Sequence, residues 1–428
     1  MSILGCAMVD LNVKAMPTLL QISIEANVCS VGRIEQQIGD LALAEGWQSY
    51  MTYSRGYKPG ASKAIRIGSK PDVYWHVLMT RLFDRHGLHS NNATQKLVEQ
   101  IKEINPDVIH IHQIHGYFLN IKILFDFLKE YGKPIVWTFH DCWAFTGHCA
   151  HFDKVGCEKW KTGCYHCPIK GEYPSSYCDR SEKNYKLKKE LFSNIPNLHI
   201  VTVSNWLQQL VEESFFKSYD IQTIYNGVDI NVFYPRKEKD VVKLLNIDGK
   251  KVLLAAATTW TEDKGLKDYY QLRKVLSDDK VIVLVGLSED QIKTLPAGIV
   301  GIKRTNSQDE LAELYSVADI TLNLSYLETF GLTTAEGMAC GTPGIVYNKT
   351  ASPELITPET GRIVEAGDIM ELSDAIEEIL SKGKASYTNN CRERAIEYYD
   401  KDKQYREYLN LYENLIKIKY QQKKLKEK

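Results

Sequence analysis

Residues 325–344 read SYLETFGLTTAEGMACGTPG. A strand closing near Leu324 meets a turn through Gly331 and then a helix, so the N–H groups of Gly331, Leu332 and Thr333 come free at a helix start, where they attract anions. Glu328 and Glu336 flank this turn, with Phe330 between them. An ionised carboxylate only accepts hydrogen bonds, so Glu336, early in the helix, suits vicinal hydroxyls such as those of a ribose, while Glu328 faces the sugar side. Two solvated glutamates beside an ordinary strand-to-helix turn are the alternative, and the whole phrase is too specific for it.

Outward from this unit, short apolar runs alternate with helical stretches. KVLLAAA, KVIVLVG, GIVGIK, DITLNL and PGIVY are strands of one series, and LLQISI, SYMTY, DVIHIH, PIVWTF, LHIVTV and IQTIY are strands of an earlier one. Such alternation predicts two doubly wound α/β domains, each with a parallel sheet. Ile34, Ile38 and Leu41 recur at helical spacing behind Gly32, which suits a glycine-led strand-to-helix turn whose amides hold phosphate or sugar. Ser307 and Glu310 predict a capping box for a helix with Leu311, Leu314, Tyr315 and Ala318 on one face. Asn226-Gly227 and Pro235 mark the boundary. The expected division is a domain over 17–227 carrying a cysteine-rich insertion at 142–178, a second domain over 228–400, and a terminal helix over 401–428 that returns to the first domain with a basic tail. Tyr405, Leu409, Tyr412 and Ile416 form the apolar stripe of that helix.

The chain has 428 residues, 44% of them hydrophobic, enough for a core in each of two domains. Its 53 basic and 54 acidic residues leave a formal charge of -1, so no global field draws it to nucleic acid. No apolar stretch approaches the roughly 20 residues that span a bilayer, and the opening MSILGCAMVDLNVKAM lacks a signal-peptide pattern. A cytoplasmic protein is expected, working at the inner face of the cell membrane if its acceptor is lipid-linked. The residues before Met16 are read as an extension without function.

HDCW at 140–143, VTVSNWL at 201–207, YNGVDINVFYP at 225–235, Lys264-Gly265, the Glu328-to-Glu336 phrase and ACGTPG occur in one order. In that order the chain resembles the family 4 (group 1) retaining glycosyltransferases of GT-B fold, with Rossmann-like domains facing each other across a cleft. SVGRIEQQIG, DVIHIHQIHGYFLN and WTFHDCWAFTGHCAHF resemble its colanic-acid and capsular polysaccharide branch. The resemblance implies a nucleoside diphosphate sugar donor and a saccharide or lipid-linked acceptor. It assigns Glu336 to the ribose, Glu328 to a sugar hydroxyl, Lys264 to the diphosphate and His140 to the sugar and phosphate side, completed by amides near Gly32. Thr259 departs from the pattern, because the family usually places an arginine there. Arg33, Arg273 and Lys303 are candidates to fold into the cleft in its place.

Stabilising the departing diphosphate needs amides and a lysine, so no cofactor is expected for the chemistry. A retaining glycosidase would need its two carboxyls about 5 Å apart across a sugar, which this spacing does not suit. Asp400-Lys401-Asp402 matches the metal signature of another transferase fold, but its place beside the terminal helix reads as solvated surface. An inactive sugar-nucleotide-binding scaffold and a nucleotide-sugar epimerase remain alternatives.

Cys142, Cys149, Cys157, Cys164, Cys167 and Cys178 fall in one stretch with His148, His151 and His166. Cys164 and Cys167 make a C-x2-C knuckle, and Cys157 or Cys178 supplies further thiolates for a candidate structural zinc site. The lysines at 154, 159, 161, 170, 183, 186, 188 and 189, with Trp160 and Tyr165, form a candidate basic surface for a peripheral membrane contact. The lysine tail is a second candidate.

Overall fold

The computed structural model describes residues 16–236, 245, 247 and 249–426. The opening extension up to residue 15 and the last two residues of the tail lie outside them. The first domain contains β1 (Thr18–Ile22), α1 (Cys29–Ala44), β2 (Gln48–Tyr53), β3 (Lys63–Arg66), α2 (Lys70–Phe83), α3 (Asn91–Ile104), β4 (Val108–Ile111), α4 (Ile121–Tyr131), β5 (Ile135–Phe139), α5 (Ser181–Phe192), β6 (Leu198–Thr202), α6 (Asn205–Glu213) and β7 (Asp220–Thr223). Its sheet runs β3-β2-β1-β4-β5-β6-β7 and is parallel throughout. β1, β4 and β5 are buried along their whole length, as expected of strands covered by helices on both faces.

The second domain contains β8 (Lys251–Ala256), α7 (Leu266–Val275), β9 (Lys280–Val285), α8 (Glu289–Lys293), β10 (Ile299–Ile302), α9 (Gln308–Val317), β11 (Ile320–Asn323), α10 (Leu332–Ala339), β12 (Gly344–Tyr347), β13 (Gly361–Val364), α11 (Ile369–Lys382) and α12 (Ala385–Tyr398). Its parallel sheet runs β10-β9-β8-β11-β12-β13. Strand order reverses between β1 and β4 in one sheet and between β8 and β11 in the other. Crevices at such switch points bind ligands.

Two strands escape the sequence pattern. β3 is an exposed edge strand of mixed polarity, and β13 is a short strand without a buried apolar run. At the start of α9, Ser307 Oγ accepts the Glu310 N–H at 3.1 Å, but the Glu310 carboxylate accepts the Asn306 N–H instead of that of Ser307, so the expected capping box closes one residue early.

The chain crosses between domains at Val228 and again at Asp400. The crossings are tied together, since Val228 N–H donates to Tyr399 C=O at 2.6 Å and Lys401 N–H to Val228 C=O at 3.0 Å. A Cβ on Gly227 would lie 2.3 Å from Lys401 Cα, so only glycine permits that approach. Asp400 is buried rather than solvated, and its carboxylate accepts the Asp402 N–H at the start of α13 (Lys401–Lys426). Helix α13 lies on the first domain, where Tyr405, Tyr408, Leu409 and Tyr412 join Leu19, Ile34, Ile38, Trp47 and Val136 in one apolar cluster. Burying each such large side chain is worth about 1.5–3 kcal/mol.

Candidate active site

Between the two sheets lies a cleft of about 480 Å³. The first domain lines it with Ser30, Val31 and Ile34 of α1, with Gln113 after β4, with His140 and Asp141 after β5, and with His151 of the insertion. The second lines it with residues 256–259 at the end of β8 and just beyond, with Thr261, Asp263 and Lys264, and with residues 327–333 across the start of α10. Helices α1 and α10 both begin at this cleft, and neither start is capped by a side chain. Unsatisfied amides of two opposed domains therefore converge on one volume, a field suited to a polyanion.

In the second domain, Gly331 takes φ +101° and forms the N-cap of α10. Among Gly331, Leu332 and Thr333, which all line the cleft, no amide closes a backbone hydrogen bond, because the first helical bonds run from Thr334 and Ala335 back to Gly331 C=O. Lys264 ends a short 3-10 turn over Glu262–Lys264, and Gly265 follows at φ +68°. A Cβ on Gly265 would lie 2.2 Å from Leu324 C=O, so the Lys-Gly pair fixes the lysine against the end of β11. Lys264 Nζ meets Glu328 Oε1 at 2.5 Å. Glu328 is held in turn by its N–H donating to Thr350 Oγ1 at 2.9 Å. The two charged groups assigned to diphosphate and sugar thus neutralise each other in the unliganded cleft. Phe330, largely buried, lines the cleft while its ring packs against Tyr225 and Tyr399.

Glu336 sits one turn deeper, outside the cleft lining, and accepts from Tyr315 OH at 3.2 Å. Burial pushes its carboxyl up to about 7, opposed by the Arg33 guanidinium from the first domain and by the tyrosine bond. Arg33 thus favours ionisation of the Glu336 carboxyl, although it is exposed, its Nε donates to Cys29 C=O, and it is not among the residues that line the cleft. Arg273 is turned away, its guanidinium bound to the carbonyls of Leu276, Ser277 and Lys280. Lys303 is paired with Glu289 outside the lining.

The first-domain wall is built from a chain of forced donors. Gln21 Nε2 donates to Glu35 C=O at 2.8 Å, so its Oε1 faces His112 Nε2 at 3.2 Å and must accept from it. His112 Nδ1 is then a lone pair, and His140 Nε2–H donates to it at 3.2 Å. Burial lowers the His140 ring to about 4, only partly offset by Asp141, so His140 stands neutral with its other nitrogen unprotonated. Asp141 accepts from His115 Nε2 at 2.6 Å and from the Trp143 N–H at 2.8 Å. Burial opposes its ionisation, but the His115 ring, its bond and that amide hold the carboxyl below its ordinary range. Tyr173 OH lies 2.8 Å from His115 Nδ1 and completes an Asp-His-Tyr relay at the cleft edge.

Sequence reasoning placed His140, Lys264, Glu328 and residues 330–333 at one site, and the structure brings them to one cleft. Gly32 is not in a turn before α1 but in its first turn, buried, and the residues of that turn that line the cleft are Ser30 and Val31. His112, His115, Gln113 and Tyr173 were missed as individuals. The only signal for the first three was the histidine-rich DVIHIHQIH, which runs past the carboxyl end of a strand, and Tyr173 had none.

The insertion does not gather the four named thiols. Cys149, Cys157, Cys164 and Cys167 line a void of about 20 Å³, while Cys178 is exposed outside it. Among the described residues no group of three or more His, Cys, Asp or Glu is arranged to hold a metal ion, and the described cysteines are all free thiols. The lysines do not form an open basic face either. Lys188 is buried, donating to Trp143 and Thr146 C=O, while Lys154, Lys161 and Lys186 are paired with carboxylates. Trp160 is buried as well.

Residues 236–398 match the family described as Glycosyl transferases group 1, and residues 45–232 match Glycosyltransferase Family 4. A protein of Escherichia coli (strain K12) named as the colanic acid biosynthesis glycosyl transferase WcaC is 24% identical over 93% of this chain and 100% of its own length. The N,N'-diacetylbacillosaminyl-diphospho-undecaprenol alpha-1,3-N-acetylgalactosaminyltransferase of Campylobacter jejuni is 28% identical, over 45% of this chain and 53% of that protein. Among solved structures, Anabaena HepE in complex with UDP-glucose superposes with a TM-score of 0.66 at 15% identity, over 93% of this chain and 99% of that one.

Proposed function

The chain belongs to the group 1, family 4 glycosyltransferases of GT-B architecture, and from that premise we propose that it moves a glycosyl unit from a nucleoside diphosphate sugar to a saccharide or lipid-linked saccharide, with retention at the anomeric carbon, during assembly of a bacterial surface polysaccharide. The observation that carries this reading is the convergence of two uncapped helix starts and Lys264 on one cleft. Those groups meet the charge that grows on a diphosphate as its bond to the anomeric carbon lengthens. Donor binding draws Lys264 from Glu328 to the phosphates, which frees the Glu328 carboxylate for a sugar hydroxyl. Glu336 accepts from the ribose, and neutral His140 offers its unprotonated nitrogen on the sugar side.

In the step itself the bond from anomeric carbon to phosphate oxygen breaks, and a bond to the acceptor oxygen forms on the same face. The acceptor's proton passes to the departing phosphate oxygen. No protein nucleophile and no metal ion is required for this balance. The likeness to the colanic acid transferase supports a polysaccharide product, and the undecaprenol diphosphate in the Campylobacter relative's name supports a lipid-linked acceptor. The likeness to HepE makes uridine diphosphate sugars the first donors to try.

The test is incubation with a panel of nucleoside diphosphate sugars and saccharide acceptors, with the anomeric configuration of the product read by NMR. An α-linked product from an α-configured donor is expected. An inverted product would refute retention, and a protein that binds a sugar nucleotide yet neither transfers nor hydrolyses it would be the inactive scaffold.

A further inference from the structure

Helix α2 is built inside out. Its buried face is polar, with His76 and Thr80 both fully inaccessible. Gly87 N–H donates to His76 Nε2 at 3.0 Å, so His76 Nδ1–H donates to Ser90 Oγ at 3.0 Å, and Thr80 Oγ1 donates to His76 C=O. The His76 and Thr80 groups on that face are satisfied, and Val73, Val77 and Met79 are half-buried, while the larger apolar side chains of the helix point outward. Tyr74 is 71% exposed and Trp75 56%, and Leu78, Leu82 and Phe83 are exposed as well. Spacings of three and four residues place Tyr74, Trp75, Leu78 and Leu82 on one face. Tyr177, 76% exposed, extends it, because its N–H donates to Arg81 C=O at the end of the helix.

A contiguous apolar face of this kind on a folded protein marks a contact surface. Its charge identifies the partner. Between Ser54 and Lys70 the chain carries Arg55, Lys58, Lys63, Arg66 and Lys70 and no acidic residue. All five are exposed, as is Arg81 on α2 itself, and none has a carboxylate within ion-pair distance among the described residues. In and beside the insertion, by contrast, Lys154, Lys161 and Lys186 are paired with carboxylates and Lys188 is buried. Aromatic and aliphatic side chains on one helix face with unpaired cations beside them match the headgroup and acyl boundary of an anionic bilayer. No helix among the described residues is long and apolar enough to cross a membrane, so α2 offers attachment in the plane of the surface.

Its position connects that surface to the cleft. Asp141 of the cleft wall bonds His115, His115 bonds Tyr173, the Tyr173 ring meets Tyr117 at 6.1 Å, and Tyr117 meets His76 of α2 at 6.0 Å. We propose that the outward face of α2, with the basic segment 55–70 beside it, is the site at which this protein docks on an anionic lipid bilayer, setting the Asp141–His115–Tyr173 edge of the cleft toward the membrane. The proposal rests on the lipid-linked acceptor reading for its purpose but not for its test.

The experiment is co-sedimentation of the full chain, without donor or acceptor, with vesicles of phosphatidylglycerol and phosphatidylcholine and with vesicles of phosphatidylcholine alone. Wild type is expected to pellet with the anionic vesicles and to be released by salt, since the cations act within a Debye length of the surface. A Trp75→Ser, Leu78→Ser double variant, altered only at exposed positions, is expected to lose about tenfold or more in partitioning. A Lys154→Ala, Lys186→Ala variant, altered in the insertion and in α5, is expected to keep it. Equal pelleting of wild type and the α2 variant, or none by wild type, overturns the proposal. So does light scattering that shows a wild-type dimer and a monomeric α2 variant, which would give the face to a second copy of the chain. Transfer to a water-soluble saccharide is expected to be unchanged in the α2 variant, so failure of vesicle binding and failure of the transferase reading are told apart.

Discussion

The two walls of the cleft are made in opposite ways. The second-domain wall comes from two local units, Lys264-Gly265 and the turn from Glu328 to Glu336, whose positions follow from two positive-φ glycines and one helix start. The first-domain wall is assembled over long sequence distances, with Gln21, His112 and His140 linked through hydrogen bonds that skip 91 and 28 residues. A local wall can present charge to a ligand with little support, whereas a distributed wall fixes the protonation and tautomer of one imidazole. Charge neutralisation is thus concentrated in the second domain and positioning in the first.

That contrast can be broken by substitution. Glu328→Ala is expected to lower kcat by about 10²-fold or more with little change in donor affinity, because the sugar hydroxyl contact is made in the transition state. A change confined to KM would remove Glu328 from the chemistry. Gly265→Ala places a Cβ against Leu324 C=O at a left-handed φ, and is expected to cost about 1–3 kcal/mol of stability in denaturant titration, with weaker donor binding as Lys264 shifts.

A pH series sharpens the contrast further. Glu336 is raised to about 7, so the folded protein holds its proton through the range in which an unfolded carboxyl has already lost it. Stability contributed by this group therefore falls as pH rises from the ordinary carboxyl value of 4.5 through about 7. Nucleotide affinity is expected to move the other way, rising between about pH 6 and 8 as the carboxylate forms to accept ribose hydroxyls, and calorimetry of Glu336→Gln should show no such rise. His140, lowered to about 4, contributes no inflection in that window. The smallest effect is expected at Glu354, whose carboxylate reaches across the domains to accept the Asn205 and Trp206 N–H groups at 2.9 and 2.5 Å. Glu354→Ala removes this cap from α6 and should cost about 1 kcal/mol.

These differences also explain how much could be read from sequence. The strands of both sheets were legible because buried parallel strands are continuous apolar runs, and β3 and β13 were not because an edge strand and a short mixed strand lack that run. Lys264, Glu328 and Gly331 were legible because their geometry is local. The Asp141–His115–Tyr173 relay was not, since nothing in DVIHIHQIH indicates which histidine meets a tyrosine in the insertion 58 residues later. Local lysine density misled in and around the insertion, where Lys154, Lys161 and Lys186 meet carboxylates and Lys188 is buried. The polar interior of α2 likewise conceals its outward apolar face from any reading that assumes apolar residues point inward.

The central claim is that two opposed helix starts and Lys264 form a diphosphate site. Calorimetric titration of nucleoside diphosphates against their parent nucleosides tests it most directly. For the base the cleft accepts, the diphosphate is expected to bind about 100-fold more tightly than the nucleoside, with most of that advantage lost in Lys264→Ala. Equal affinities for diphosphate and nucleoside, unaffected by the lysine, would contradict the account.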